Sequence, residues 1–436
     1  HRERRDMNDD ILYAGIEYLD PGTCRLATAD IRVKDGRFHS IRPAGAPRPD
    51  GVATADGTGR VMFPGLVNAH LHPSKELYGD LHDFSPIQTV LDSVHKNNRL
   101  ESAQTQYAAA LYSIMRNVRS GVTSVGVFTS RFETDADACK AVGVRASVQF
   151  CQSDQWLGGG SKPSAYGIDE IIRRYERSVD THATPLIDLQ PATASELSAS
   201  DDLIRQLHGL AKARGKTFSM HVHEGRTQVK SFRDAHGISA IRHLGGLGVL
   251  DEHLTLVHAS SVDDDDVAEI RRSRANLVHC PISNSFVGAG RMPVRRFAGV
   301  RHMGLGTDAA MVNPENRLTN DAMFCLYHHG EHDLDDKLSA AEVLGMLTAS
   351  GGESIGLRGI GAIRAGRRAD FIVFRRDRLT EAYGNSPISH LRLLRNENPD
   401  QVFVDGRAIF SDGTFAFVDF DEWRSRFEAL REEVTA

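Results

Sequence analysis

Eight short apolar runs recur along the middle of this chain, each followed by an amphipathic or polar stretch. They fall at 61–70, 123–128, 145–150, 185–190, 217–223, 254–260, 275–280 and 302–307. Runs of this length, rich in Val, Leu and Phe, read as strands buried on both faces. The stretches between them read as helices. Ser102–Arg119 is amphipathic, and Asp201–Arg214 follows Ser200, an N-cap type with two acids behind it, and stops at Gly215. Strand and helix alternating eight times predict a (β/α)8 TIM barrel over 63–365.

The two ends read differently. Residues 10–60 alternate polar and apolar between turn signals at Pro21-Gly22, Asp35-Gly36 and Asp56-Gly57. Residues 367–418 do the same, as in Ala369–Phe374 and Val402–Gly406. Both read as antiparallel strands. The simplest arrangement is one small β-sandwich domain built from both termini, 1–62 and 366–436, with the barrel inserted between. The last residues, Asp421–Ala436, read as a short surface helix.

With 436 residues the chain has room for both units. A net charge of −6 gives no electrostatic pull toward nucleic acid or an anionic membrane. No apolar stretch approaches the roughly 20 residues that span a bilayer. His1–Asp10 is charged and no apolar segment follows it, so no secretory leader is expected, and Met7 reads as the native start. Five scattered cysteines without paired spacing predict reduced thiols and a cytoplasmic setting. Cys280 reads as a core or pocket-wall thiol rather than a nucleophile.

Barrel chemistry sits at the C-terminal ends of the strands. There the chain places His70 and His72, His221 with Glu224, His258, His279 and Asp308. In a strand, positions i and i+2 share a face, so His70 and His72 project together. His70, His72, His221 and Asp308 supply three imidazole nitrogens and one carboxylate to one divalent ion, zinc or iron, with a position left for water. Such an ion brings the pKa of its water toward 7. Glu224, just past its strand, can fold back over the ion and carry protons. His258 reads as a hydrogen-bonding partner of that water or a fifth ligand. His223 reads as a wall residue, and His279 as a pocket residue or a packed strand-end histidine. His328, His329 and His332 lack supporting context and read as surface.

These segments carry a resemblance. Phe63–His72 resembles the first-strand signature of the amidohydrolase superfamily, within it the cytosine deaminase, S-adenosylhomocysteine deaminase and triazine hydrolase group. His221-Val222-His223-Glu224 is similar to that group's His-x-x-Glu. His258 matches its sixth-strand histidine, and His279-Cys280-Pro281-Ile282-Ser283-Asn284 its seventh-strand segment. Gly306-Thr307-Asp308 matches the segment of its metal aspartate, and Gly366–Val373 with Val404–Arg407 resemble its returning β-strands. The resemblance implies one metal ion, hydrolytic attack on an electrophilic carbon, a small-molecule substrate and a homo-oligomer. Pro185–Gln190 holds no lysine, which weighs against the family's binuclear arrangement.

Two departures bear on the substrate. Ala192 falls where the adenosylhomocysteine deaminases have histidine, and Tyr78 where they usually have arginine, in a slightly shorter loop. Both weigh against a nucleoside. The expected activity is therefore deamination of a small nitrogen-rich heterocycle, by attack of metal-bound hydroxide with Glu224 as proton shuttle. The alternatives are hydrolysis of a cyclic amide, an N-substituted amine or a halide, and, further off, a binding protein without catalysis. Arg291 and Arg317 are candidates to meet an anionic substrate group. Gly158–Gly160 suggests a loop over the mouth or a plain connector.

Overall fold

The computed structural model describes residues 10–79, 84–297, 299–330 and 338–435. Met7 and His332 lie outside these residues. Five strands open the chain: β1 (Asp10–Asp20), β2 (Arg25–Lys34), β3 (Arg37–Pro43), β4 (Ala53–Asp56) and β5 (Arg60–Pro64). Eight follow in the middle: β6 (Leu66–Leu71), β7 (Val122–Thr129), β8 (Arg145–Gln152), β9 (Ile187–Ser195), β10 (Phe218–Val222), β11 (Leu254–His258), β12 (Asn276–His279) and β13 (Met303–Leu305). Four close it: β14 (Phe371–Arg375), β15 (Gln401–Val404), β16 (Arg407–Ser411) and β17 (Thr414–Phe415).

The middle eight pair in parallel, in chain order from β6 to β13. A bridge between Leu71 and Asp308 joins the last strand's end to the first. Helices lie between successive strands, so the predicted (β/α)8 barrel is present. Ser200 caps as expected, accepting from Leu203 N, and Ser102 caps its helix in the same way, accepting from Thr105 N. The helix at Phe420–Thr435 also packs inward: Phe427 is buried and stacks on Tyr112 at 4.3 Å.

The termini form one nine-stranded sheet, β17-β16-β15-β14-β5-β1-β2-β3, with β4 beside β1. It curls over its own core. Phe38 on β3 and Tyr13 on β1 each pack against Phe371 on β14, at 5.7 Å between ring centroids.

The apolar run at 61–70 is two strands rather than one. Val61–Pro64 pairs with β14 in the terminal sheet, and Leu66 starts the barrel. Gly65 makes the switch, because a Cβ there would sit 2.1 Å from Thr123 Oγ1. Periodicity could not reveal the break, since both halves are fully apolar. The run at 185–190 is also displaced, and its strand extends to Ser195.

One buried ion cluster ties barrel to terminal sheet. Arg145, at the start of β8, donates to Asp370 at 2.6 and 3.0 Å and to Asp405 at 2.6 Å. Arg145 is 4% exposed and Asp370 1%. Removing one partner of a buried pair strands the other charge and costs about 3–5 kcal/mol. Arg145→Ala is expected to lower the urea midpoint by that equivalent; an unchanged midpoint would show that the cluster contributes nothing to stability.

Candidate active site

The barrel's closure builds the site. Asp308 N donates to the His70 carbonyl at 3.0 Å, which sets the carboxylate beside the first strand's histidines. Its Oδ1 lies 3.6 Å from His70 Nε2 and 3.4 Å from His72 Nε2. His221 Nε2 approaches His70 Nε2 at 3.2 Å. His258 Nε2 lies 3.9 Å from Asp308 Oδ2 and 3.6 Å from Glu224 Oε1. The donor atoms of His70, His72 and His221 lie within 4.8 Å of one another, and so do those of His70, His258 and Asp308. The close passage of the strands requires Gly306, where a Cβ would meet His70 Cβ at 2.5 Å.

Neighbouring groups aim these side chains. His221 Nδ1 donates to the Ala194 carbonyl, leaving Nε2 to point inward. His258 Nδ1 faces Asn284 Oδ1 at 2.9 Å. Ser283 Oγ donates to Asp308 Oδ2 at 2.7 Å, and Ala309 N to Oδ1 at 2.8 Å. Ser283 and Asn284 belong to the His279–Asn284 motif, so that motif reaches the site through its serine and asparagine. His258 and Asp308 hold left-handed backbone conformations, φ 76° and 65°. Such conformations cost about 1–3 kcal/mol each and cluster at functional sites.

The electrostatics suit a cation. Burial holds the His70, His72 and His221 imidazoles neutral, His72 down to about 3. Burial alone would raise the Asp308 carboxyl, but the hydrogen bond from His70, with the surrounding imidazoles of His258 and His72, outweighs it and holds Asp308 well below the carboxylate range. Neutral imidazoles around an ionised carboxylate, with the buried His70 Nδ1 left without a partner, are a donor set that fits a divalent ion. Glu224 is different: burial, with help from Asp308, pushes it up to about 7 against the pull of His258. A carboxyl poised there can both take and give a proton.

A cavity of about 390 Å³ opens over this end of the barrel and reaches His72, His221, Glu224 and Asp308. Its lining mixes polar Lys75, Gln152, Arg131 and Arg174 with apolar Val90, Leu91 and Trp156. Lys75 Nζ bonds Glu101 Oε1 at 2.9 Å, and Arg174 donates to Gln152 Oε1 at 3.0 Å. The segment at Gly158–Gly160 is tied down beside the mouth, since the Gly159 carbonyl accepts from Gln88 and Trp156.

Five candidate residues stand elsewhere: Ala192, Tyr78, His279, Arg291 and Arg317. Ala192 lies inside β9, fully buried among Phe128, Cys151 and Ala194, because the strand runs five residues past the predicted end. Tyr78 is buried outside the cavity, with its hydroxyl bonded to Glu101. His279 is 1% exposed and faces His329 Nε2 at 3.1 Å, away from the cavity. Arg291 lines a separate groove beside Arg226 and Arg233 and donates to the His328 carbonyl. His329, read as surface, is buried too. Arg317 is bonded to Asn398 and the Glu397 carbonyl. His223 is fully buried near Asp266, at 3.7 Å, and its backbone N–H donates to Glu196.

Glu196 is the residue that the sequence reading missed. It follows β9, lines the cavity, and burial pushes its carboxyl up to about 7. Its signal was the strand's true end at Ser195, which the displaced strand hid. Among the described residues all five cysteines are free thiols, and Cys280 is buried in the barrel core.

A cavity on the C-terminal face of a parallel barrel, over three histidines and an aspartate, defines a metal-dependent hydrolase. The model of the amidohydrolase family matches residues 61–409, and the chain belongs to that family. Over 435 residues it is 27% identical to the 5'-deoxyadenosine deaminase of Methanothermobacter thermautotrophicus, covering 98% of this chain and 99% of that one. It is also 27% identical to the 5-methylthioadenosine/S-adenosylhomocysteine deaminase of Syntrophobacter fumaroxidans, covering 94% of each. In fold it resembles the zinc complex of atrazine chlorohydrolase TrzN from Arthrobacter aurescens TC1, with TM-score 0.88, 18% identity and coverage of 97% and 100%. It resembles a zinc-bound adenosine deaminase from Xanthomonas campestris as well, with TM-score 0.82, 20% identity and 98% coverage of each chain. No described helix is long and apolar enough to cross a membrane.

Proposed function

We propose that the protein is a hydrolytic deaminase of an amino-substituted nitrogen heterocycle. The observation that carries this reading is Glu224, whose carboxyl lies 3.6 Å from His258 Nε2 and is raised to about 7, in a cavity lined also by the cation donors His72, His221 and Asp308. His70, His72, His221 and Asp308 would hold one zinc ion, which supplies Lewis acidity and makes water acidic near neutral pH. Glu224 takes the proton that the attacking water gives up and delivers it to the departing nitrogen. Water's oxygen bonds the ring carbon, the carbon–nitrogen bond breaks, and ammonia leaves with a ring carbonyl behind it and water's second proton on the adjacent ring nitrogen. His258, with Nδ1 occupied by Asn284, presents Nε2 as an acceptor for the attacking water. Asp308, held by Ser283 and Ala309, keeps its negative charge next to the histidines.

The substrate's ring belongs at Glu224, and any substituent extends toward Arg131, Gln152 and Arg174. Ala192 and Tyr78 do not touch the cavity, so neither residue disfavours a nucleoside by contact. One hydrogen bond to a charged wall residue is worth about 1.5–3 kcal/mol, or tenfold and more in rate constant. A polar-substituted heterocycle such as a nucleoside should therefore exceed its bare base by at least about tenfold in kcat/KM. Ammonia release from paired aminopurine and aminopyrimidine bases and nucleosides tests this. Equal kcat/KM for both members of each pair would remove the polar wall from recognition. Metal-replete protein that released a halide or an alkylamine but no ammonia would overturn deamination itself.

A further inference from the structure

A second cluster of metal-binding side chains lies outside the cavity. His279 ends β12, and Cys325 and His329 lie four residues apart on the helix Leu318–His329, so both face the same side. Their donor atoms lie within 4.8 Å of one another, and all three residues are at most 1% exposed. We propose that His279, Cys325 and His329 form a second cation site, separate from the catalytic one, for a thiophilic ion of the zinc kind.

The geometry supports it in two ways. Two nitrogens bound at about 2.05 Å to one tetrahedral ion lie about 3.3 Å apart. His279 Nε2 and His329 Nε2 are 3.1 Å apart, close to the 3.2 Å between His70 and His221 in the first site. The two sites also share a detail: the leading strand histidine in each, His70 or His279, keeps a buried Nδ1 without a hydrogen-bond partner while its Nε2 faces the other imidazole. The donor sets differ. A thiol with two imidazoles is softer than three imidazoles with a carboxylate, and selects zinc over the harder cations. Binding displaces the Cys325 thiol proton to solvent, and the sulfur lone pair forms the metal bond. The ion would pin the helix to the end of β12. That helix also carries Asp321, which accepts from Asn313 at 2.9 Å behind the Asp308 segment.

Cobalt(II) is the probe, because a thiolate-to-cobalt charge-transfer band in the near ultraviolet reports only a cysteine ligand. Chelator-stripped full-length protein loaded with two equivalents of cobalt should show that band together with the visible bands of the catalytic site. Cys325→Ser should lose the charge-transfer band and keep the visible ones, which also shows that it is folded, while Cys280→Ser should keep both. Native mass spectrometry should find two zinc ions in the wild type and one in Cys325→Ser and His329→Gln. No charge-transfer band in the wild type, or one that survives Cys325→Ser, would overturn the site, and the contact at 3.1 Å would then be a histidine–histidine hydrogen bond. The result is independent of the catalytic reading, which is measured by ammonia.

Discussion

Glu224→Gln is expected to lower kcat by about 10²–10⁴-fold, the usual worth of a general acid–base group, with metal content unchanged. The amide keeps the shape and can still hydrogen-bond, but it cannot take a proton from water or pass one to a leaving nitrogen. Burial and the neighbouring Asp308 set Glu224 near 7, where both transfers are accessible at neutral pH. Steady-state kinetics with zinc counted by mass spectrometry decides the matter. If the variant turned over within a few fold of wild type, the proton carrier would be another group, and Glu196, raised to about 7 in the same cavity, is the next to test. KM should move little, because the loss falls on the chemical step.

The second large effect concerns the cation. His70→Ala, His72→Ala and His221→Ala each remove a donor from the cluster around Asp308. Losing a group that merely orients a ligand weakens a site roughly 10–100-fold, and Ser283→Ala should do that much through Asp308. Losing a donor itself should exceed it, and turnover should fall to background. Competition against a chromophoric chelator, in a Cys325→Ser background so that one site is counted, measures each affinity. Wild type stripped by chelator should regain activity with added zinc; the three histidine variants should not. Wild-type affinity in all three would place the ion elsewhere.

Much of this was legible along the chain, for a stated reason. Strand and helix leave different periodicities, so eight alternations announce a barrel, and strand ends announce where its polar residues collect. His70, His72, His221, Glu224, His258 and Asp308 each follow an apolar run, and the structure brings all six to one end of the barrel. Boundaries were harder, because a fully buried strand has no polar face to mark its limits. That is why 61–70 concealed the switch at Gly65, and why β9 ran on to Ser195 and carried Ala192 into the core.

What the sequence determined by itself is therefore local: residue types, their periodicity and the order of the strands. What the tertiary structure decided is which distant residues meet. Glu196 enters the cavity, and His279 leaves it for Cys325 and His329, because strand length and helix packing set those positions. Arg145 reaches Asp370 across 225 positions of chain, a pairing that exists only once β8 and the strands from the two termini have assembled around one another.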